Sequence, residues 1–208
     1  MDKINYIVIL YSYLLGAIPS AYLLVKIFFK SDIRQQGTGN VGAMNTYDVT
    51  GKRRLGLIVF VIDFLKGSAA VLITEKLLGL DLYSVSIATS FVILGHNYNV
   101  FLKFKGGRGL ASAAGAFTFI NPLLIILWLL MYFSSYYVIK KDVHVGTAVG
   151  AIASPLMIWG VPEYGIKATQ TMTFENVTQF KILATFICFL IFLKNVKPLT
   201  EKLDKAQN

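Results

Sequence analysis

Positions 103–109 read KFKGGRG, three cations and three glycines in seven residues, with apolar sequence on both sides. Glycine lets backbone N–H groups approach an anion closely, and neighbouring amides can form an anion nest. Lys103, Lys105 and Arg108 add charge. The LASAAG that follows reads as a helix start, whose N-terminus adds a favourable dipole. A second glycine loop, RQQGTGNVGAMNTYDVTGKRR at 34–54, holds Gly37, Gly39, Gly42 and Gly51 among Thr38, Asn40 and Asn45. Either loop alone can be explained as a tight turn with cations marking one face of a membrane. Two of them on one face of a small protein read as phosphate cradles.

Other residues could support or use such a site. Asp63 and Lys66 stand three apart on a helix and face the same way. Ionisable groups within an apolar run are functional candidates, and this pair reads as self-neutralising support for the site. His96, just before the second loop, either bonds a phosphate or moves a proton, or is an interfacial histidine bonded to backbone. His144 reads as interfacial. Tyr11, Tyr13, Trp128, Tyr136, Tyr137 and Trp159 read as membrane-interface anchors. There is no Gly-x-Ser-x-Gly elbow, no His-x4-Asp motif and no pair of catalytic carboxylates. An enzyme built this way must act by positioning and electrostatics. Cys188 is the single cysteine and the two histidines lie far apart, so neither a metal nor another cofactor is expected.

The surrounding elements read as membrane helices. Of 208 residues, 55% are hydrophobic and 15% charged, well short of the roughly 25% charged of soluble domains. The net charge is +9. The cations fall in short loops between apolar runs, so they argue for membrane orientation and not for nucleic acid. Apolar stretches at Ile4–Val25, Leu55–Thr74, Leu82–Leu102, Gly109–Ile120, the segment from Pro122 to Ile139, Val143–Pro162 and Asn176–Leu193 give seven transmembrane helices. Asn121-Pro122 divides an apolar run too long for one span. The first run has no convincing cleavage site and reads as a retained helix. Fourteen Lys and Arg fall in loops 30–54, 103–108 and 140–142 and in the tail 194–208, against four on the opposite side. That bias makes these loops cytoplasmic and puts the N-terminus outside and the C-terminus inside. The expectation is an all-α integral membrane protein, a single membrane domain over 1–208.

Taken together, these motifs resemble the bacterial acyl-phosphate-dependent glycerol-3-phosphate acyltransferases. GTGNVGAMN resembles their Gly-Ser-Gly-Asn-x-Gly-Ala-Thr-Asn, DFLKG at 63–67 their Asp-x-Leu-Lys-Gly, and GHNYNVFLKFKGGRGLASAAG their second motif. The resemblance runs from GAIPSAYL at 16–23 to the last helix. It implies seven membrane helices in a bacterial inner membrane, with the active site at the cytoplasmic face. The implied reaction moves a fatty acyl chain from acyl phosphate to glycerol 3-phosphate, giving 1-acyl-glycerol 3-phosphate and phosphate. It belongs to phospholipid synthesis and uses no metal or other cofactor. The hydroxyl attacks directly and substrate phosphate helps take the proton. The implied partners are the two substrates and membrane lipids.

Carried over by position, Thr38, His96, Lys105 and Asn195 take catalytic places. Gly37, Gly39, Asn40, Gly42, Asn45, Gly106, Gly107 and Arg108 bind phosphate, and Asp63 and Lys66 support them. The sequence departs from the pattern at three places. Asp48 stands where the family has arginine, and Lys52, Arg53 or Arg54 are candidates to replace that charge. Asn99 stands for a proline. Ile191–Asn195 keeps only the asparagine of a third motif close to Arg-His-x-Glu-Asn. These departures leave a second reading open, a non-enzymatic or altered-substrate relative that binds or transports a phosphorylated lipid or metabolite.

Overall fold

A computed structural model describes residues 2–140 and 142–207, with side chains except at 140, 197 and 201–207. Lys141 and Asn208, in the expected cytoplasmic segments, lie outside the described residues. Among the described residues the chain is helical and contains no strand. It forms two compact units, one up to Ala116 and one from Phe117.

The first unit opens with α1 (Lys3–Gly16) and α2 (Ser20–Phe29). The sequence reads as one helix here, and the break is a correction. Pro19 has no N–H to continue the ladder and its ring disfavours helical geometry in the residue before it, so the helix stops and restarts. A loop follows, then α3 (Ala43–Thr50), α4 (Arg53–Leu72) running into a π-turn at Ile73–Leu77, and α5 (Leu82–Asn97). The expected helix 82–102 therefore ends early, and a 3-10 turn at Val100–Leu102 leads to the second glycine loop. α6 (Leu110–Ile120) starts after it.

Helices in this unit touch backbone to backbone. A Cβ on Gly16 would lie 2.0 Å from the Val92 carbonyl oxygen, and one on Gly95 2.1 Å from that of Tyr13. The same reciprocal contact joins α4 and α6: Gly67 lies against the Ser112 carbonyl and Gly115 against that of Phe64, each at 1.9 Å from an added Cβ. Without a hydrophobic drive between helices in lipid, such close approach supplies the packing energy. Beneath the loops, Ala21, Val25, Ile33, Val41, Val59 and Leu102 form a buried cluster. It pins the first loop through Ile33 and Val41, and the approach to the second through Leu102.

The second unit holds α7 (Leu123–Ser135), α8 (Val143–Gly160), α9 (Glu163–Thr169) and α10 (Val177–Gln207). The break before α7 falls at Asn121-Pro122, as the sequence indicates. Asn121 accepts from Leu123 N–H at 3.0 Å and donates to the Ile166 carbonyl at 2.9 Å. Trp128 and Tyr132 of α7 stack in a row with Tyr136 of the π-turn that follows it. Trp128 and Tyr132 lie against Gly150 and Gly146 of α8, so Trp128 is a packing residue. α10 continues through the expected tail as helix.

Five helical stretches among the described residues are long and apolar enough to cross a membrane: Lys3–Phe29 across its break, Arg53–Leu77, Leu82–Leu102, Val143–Gly160 and Val177–Val196. Leu110–Ile120 and Leu123–Ile139 are apolar but shorter.

Candidate active site

Asn45 organises the first loop. It is buried at the start of α3, and its Oδ1 accepts from Thr38 N–H at 2.9 Å. Its Nδ2 donates to the carbonyls of Asn40 at 2.9 Å, Gln36 at 3.2 Å and Ile33 at 3.4 Å. Both ends of the amide are thus committed to the loop, and its geometry makes it a positioning residue. Gly37 and Gly39 take left-handed backbone, φ 56° and 68°, and a Cβ on Gly37 would meet Asn45 Oδ1 at 2.3 Å. Thr38 is exposed at the turn, its Oγ1 accepting from Asn40 N–H at 3.4 Å. Gly42 has extended backbone and starts α3. The entry to the loop is braced by Arg34, whose Nη2 lies 2.6 Å from Asp32 Oδ2 and whose guanidinium covers the Tyr22 ring at 5.1 Å. The hydrogen bond from Arg34 holds the Asp32 carboxyl below its ordinary pKa.

The second loop is laid on the end of α5. Lys103 and Phe104 both adopt left-handed φ, 55° and 59°, to reverse the chain. Such geometry costs non-glycine residues about 1–3 kcal/mol each. Phe104 N–H donates to Asn99 O at 2.8 Å and Gly107 N–H to His96 O at 3.0 Å. Gly106 and Gly107 lie where no side chain fits: an added Cβ would sit 2.0 Å from His96 O and 2.1 Å from His96 Nε2, respectively. The Cβ on Gly107 would also be 2.7 Å from Val41 O, so the two glycine loops meet there. Gly107 has spent its N–H, while those of Gly106 and Arg108 have no partner among the described residues.

Two cations of the second loop are uncompensated among the described residues. Lys105 is exposed and Arg108 half-buried, and neither has an ion pair or hydrogen bond among the described residues. Burial pushes the Arg108 pKa below its ordinary value. Asp48 is exposed on α3 and pairs with no cation among the described residues. Lys52, Arg53 and Arg54, the candidates to replace the missing charge, border a cavity of about 440 Å³ with Phe28 and Leu55, and the Lys52 ammonium sits 5.2 Å from the centre of the Phe29 ring.

Beneath the loops lies a buried polar cluster. Asp63 Oδ1 accepts from Ser20 Oγ at 2.6 Å and from Lys66 Nζ at 2.8 Å. Lys66 also donates to the carbonyls of Gly16 at 3.2 Å and Ile18 at 2.9 Å at the α1–α2 break, where Ile18 O accepts from Ser20 N–H as well. His96 Nδ1 stands 3.4 Å from Lys66 Nζ. Asn99 donates to Ala17 O at 2.7 Å and accepts from Phe101 N–H at 3.0 Å. Its φ of −72° is one that proline also adopts, so the substitution keeps the turn and adds two bonds.

The bracing pair Asp32–Arg34 had no motif to mark it in the sequence, and Ser20, within GAIPSAYL, was not singled out as a site residue. For Ser20 the available signal was its place directly after a proline in an apolar run. Asn195 lies in the second unit, fully buried; its Nδ2 donates to Ile191 O at 2.9 Å and its Oδ1 has no hydrogen-bond partner among the described residues. Among the described residues no cluster of three or more His, Cys, Asp or Glu could hold a metal.

The family described as glycerol-3-phosphate acyltransferase matches residues 6–203. The chain belongs to the glycerol-3-phosphate acyltransferase family. A glycerol-3-phosphate acyltransferase of Syntrophotalea carbinolica is 40% identical over 154 residues, 74% of this chain and 78% of that protein. Glycerol-3-phosphate acyltransferase 5 of Dehalococcoides mccartyi is 38% identical over 188 residues, 89% of this chain and 78% of its own. The crystal structure of PlsY, an integral membrane glycerol 3-phosphate acyltransferase, in its glycerol 3-phosphate form matches with a TM-score of 0.78 at 28% identity, covering 97% of this chain and 92% of that one. Membership of this family makes the chain a membrane acyltransferase, and the non-enzymatic alternative is not favoured.

Proposed function

We propose that the protein transfers a fatty acyl group from acyl phosphate to glycerol 3-phosphate, giving 1-acyl-glycerol 3-phosphate and inorganic phosphate. The observation that carries this reading is Arg108. A half-buried guanidinium without an acidic partner among the described residues, next to unspent amides of Gly106 and of its own backbone, is a site waiting for an anion. Lys105 adds a mobile cation at the mouth. Thr38, Gly39 and Asn40 face the same substrates from the first loop, which Asn45 shapes. The acyl phosphate carbonyl is already activated, so no protein nucleophile is needed. The substrate's hydroxyl oxygen attacks the acyl carbon, the bond from that carbon to the phosphate oxygen breaks, and the hydroxyl proton passes to phosphate. Arg108, Lys105 and the loop amides hold the phosphate charge in place through that exchange.

The reading places the chain in a bacterial inner membrane with seven spans, the two shorter helices included. The N-terminus lies outside and the C-terminus and glycine loops face the cytoplasm, where soluble glycerol 3-phosphate is met. The cation bias supports that orientation. The test is purified protein in detergent with palmitoyl phosphate and glycerol 3-phosphate, followed by phosphate release and mass detection of the acylated product. Release no faster than a detergent blank, from folded protein, refutes the activity. An unchanged rate in Lys105→Ala refutes that lysine's role.

A further inference from the structure

Three cations at the start of α4 share one cavity. Lys52, Arg53 and Arg54 line it with Phe28 and Leu55, and its volume is about 440 Å³, within the roughly 300–1,000 Å³ usual for ligand sites. All three charged side chains are exposed, and none pairs with a carboxylate among the described residues. The Lys52 ammonium lies 5.2 Å from the centre of the Phe29 ring. That contact steadies the ammonium and leaves its charge unspent. Like charges at three successive positions repel one another, so the arrangement gains from an anion.

The remaining lining and its surroundings are apolar. Phe28 is exposed, as are Ile27 beside it on α2 and Leu57 and Ile58 further along α4. A small soluble anion has no use for such a wall. Two apolar stretches long enough to cross a membrane, Lys3–Phe29 and Arg53–Leu77, meet here, one at its last residues and the other at its first. The ends of spans lie at the level of lipid headgroups, where Lys and Arg side chains meet phosphate.

We infer that this cavity seats the phosphate headgroup of an anionic phospholipid from the surrounding leaflet, with Lys52, Arg53 and Arg54 on the phosphate and Phe28 and Leu55 against the acyl chains. Each guanidinium can take two phosphate oxygens at once, and Lys52 adds a point charge. The site also adjoins the helix pair behind the first glycine loop. Gly56 lets α4 touch α3, an added Cβ there lying 3.0 Å from Ala43 O. A seated lipid therefore ties to the membrane surface the pair of helices that carries Asn45.

The inference rests on the proposed function only in setting these helices in a bilayer, and its test reads binding in place of activity. Full-length protein, purified in a neutral detergent, is offered equal amounts of phosphatidylglycerol and phosphatidylcholine with the same acyl chains. Native mass spectrometry then counts the lipids retained. The expected preference for phosphatidylglycerol is at least about tenfold, since each basic residue at an anionic membrane surface contributes a factor of about five. Arg53→Gln and Arg54→Gln should each lower its retention by about that factor. Both side chains are exposed, so these variants keep the buried packing. Lys76→Gln, at the far end of the same helical stretch, should leave retention unchanged. Equal retention of the two lipids overturns the inference, as does a loss in Lys76→Gln as large as in the cavity variants. Displacement of the lipid by millimolar inorganic phosphate or glycerol 3-phosphate would assign the cations to a soluble anion and overturn it as well. A protein that retains phosphatidylglycerol as expected but transfers no acyl group would sink the acyltransferase reading and leave this inference standing.

Discussion

Arg108 has the most to gain from substrate. Its guanidinium is half-buried with no partner among the described residues, and burial lowers its pKa. A base with a lowered folded-state pKa is destabilising wherever it is charged, which for arginine means the whole working pH range. Arg108→Met should therefore raise the melting temperature of the substrate-free protein. The same variant should lose the stabilisation that glycerol 3-phosphate gives the wild type in a thermal-shift titration. A lower melting temperature, or an undiminished response to the ligand, would show that the guanidinium serves the fold and not an anion. Asp48 poses the reverse case. It is exposed and unpaired among the described residues, at the position where the family pattern has arginine. An exposed charge is worth little and is screened by salt. Asp48→Arg should lower the KM for glycerol 3-phosphate a few-fold at low ionic strength, with the gain fading in high salt. An unchanged KM at low salt would place this side chain outside the field of the site.

At the scale of the element, the two glycine loops are built differently. The first is organised by one buried amide: Asn45 bonds one N–H and three carbonyls within the loop. Asn45→Asp should be as damaging as Asn45→Ala, because a carboxylate would face those three carbonyl oxygens. Either should cost several-fold in activity and at least ~2 kcal/mol of stability, given about 1 kcal/mol per bond and more for an unsatisfied buried group. Chemical denaturation of the two variants compares them, and an Asp variant near wild type would mean the amide nitrogen carries none of the load. The second loop is a packing device as well as a donor of amides, since Gly106 and Gly107 lie against the His96–Asn97 backbone and the His96 ring. Gly107→Ala should abolish activity, since both obstacles include backbone or a buried ring. The glycine-and-cation pattern was enough to find both loops, and Asn121-Pro122 enough to divide the long apolar run. The pattern could not show whether a glycine is there for an anion or for a neighbouring backbone, because both need a missing Cβ. Nor could it reveal that Asn45 works within its loop. The break at Pro19 was hidden for a related reason: apolar sequence runs across it, and the donors that satisfy its carbonyls, Lys66 and Asn99, come from 48 and 82 residues away.

For the whole molecule, the argument turns on which way the chain threads the bilayer. The loops that carry the glycines, 30–54 and 103–108, also carry eight of the twenty Lys and Arg. Charge bias alone would keep them on the cytoplasmic side, where a phosphorylated, membrane-impermeant acceptor is available. Lys66 and Asp63 are the ionisable pair inside a span, and they are neutralised by each other and by backbone before they meet lipid. The single cysteine makes the threading measurable. Cys188 is buried, 3.6 Å from Ser154 Oγ, and Cys188→Ser gives a silent background. In that background Asp2→Cys and Lys52→Cys, both at exposed positions, can be probed in sealed cells with a membrane-impermeant maleimide. Asp2→Cys should label from outside, and Lys52→Cys only after the membrane is permeabilised. Labelling of Lys52→Cys in intact cells would put the first glycine loop on the wrong side for its substrate. The positive-inside argument and the proposed acceptor would then fail together, because both depend on that loop facing the cytoplasm.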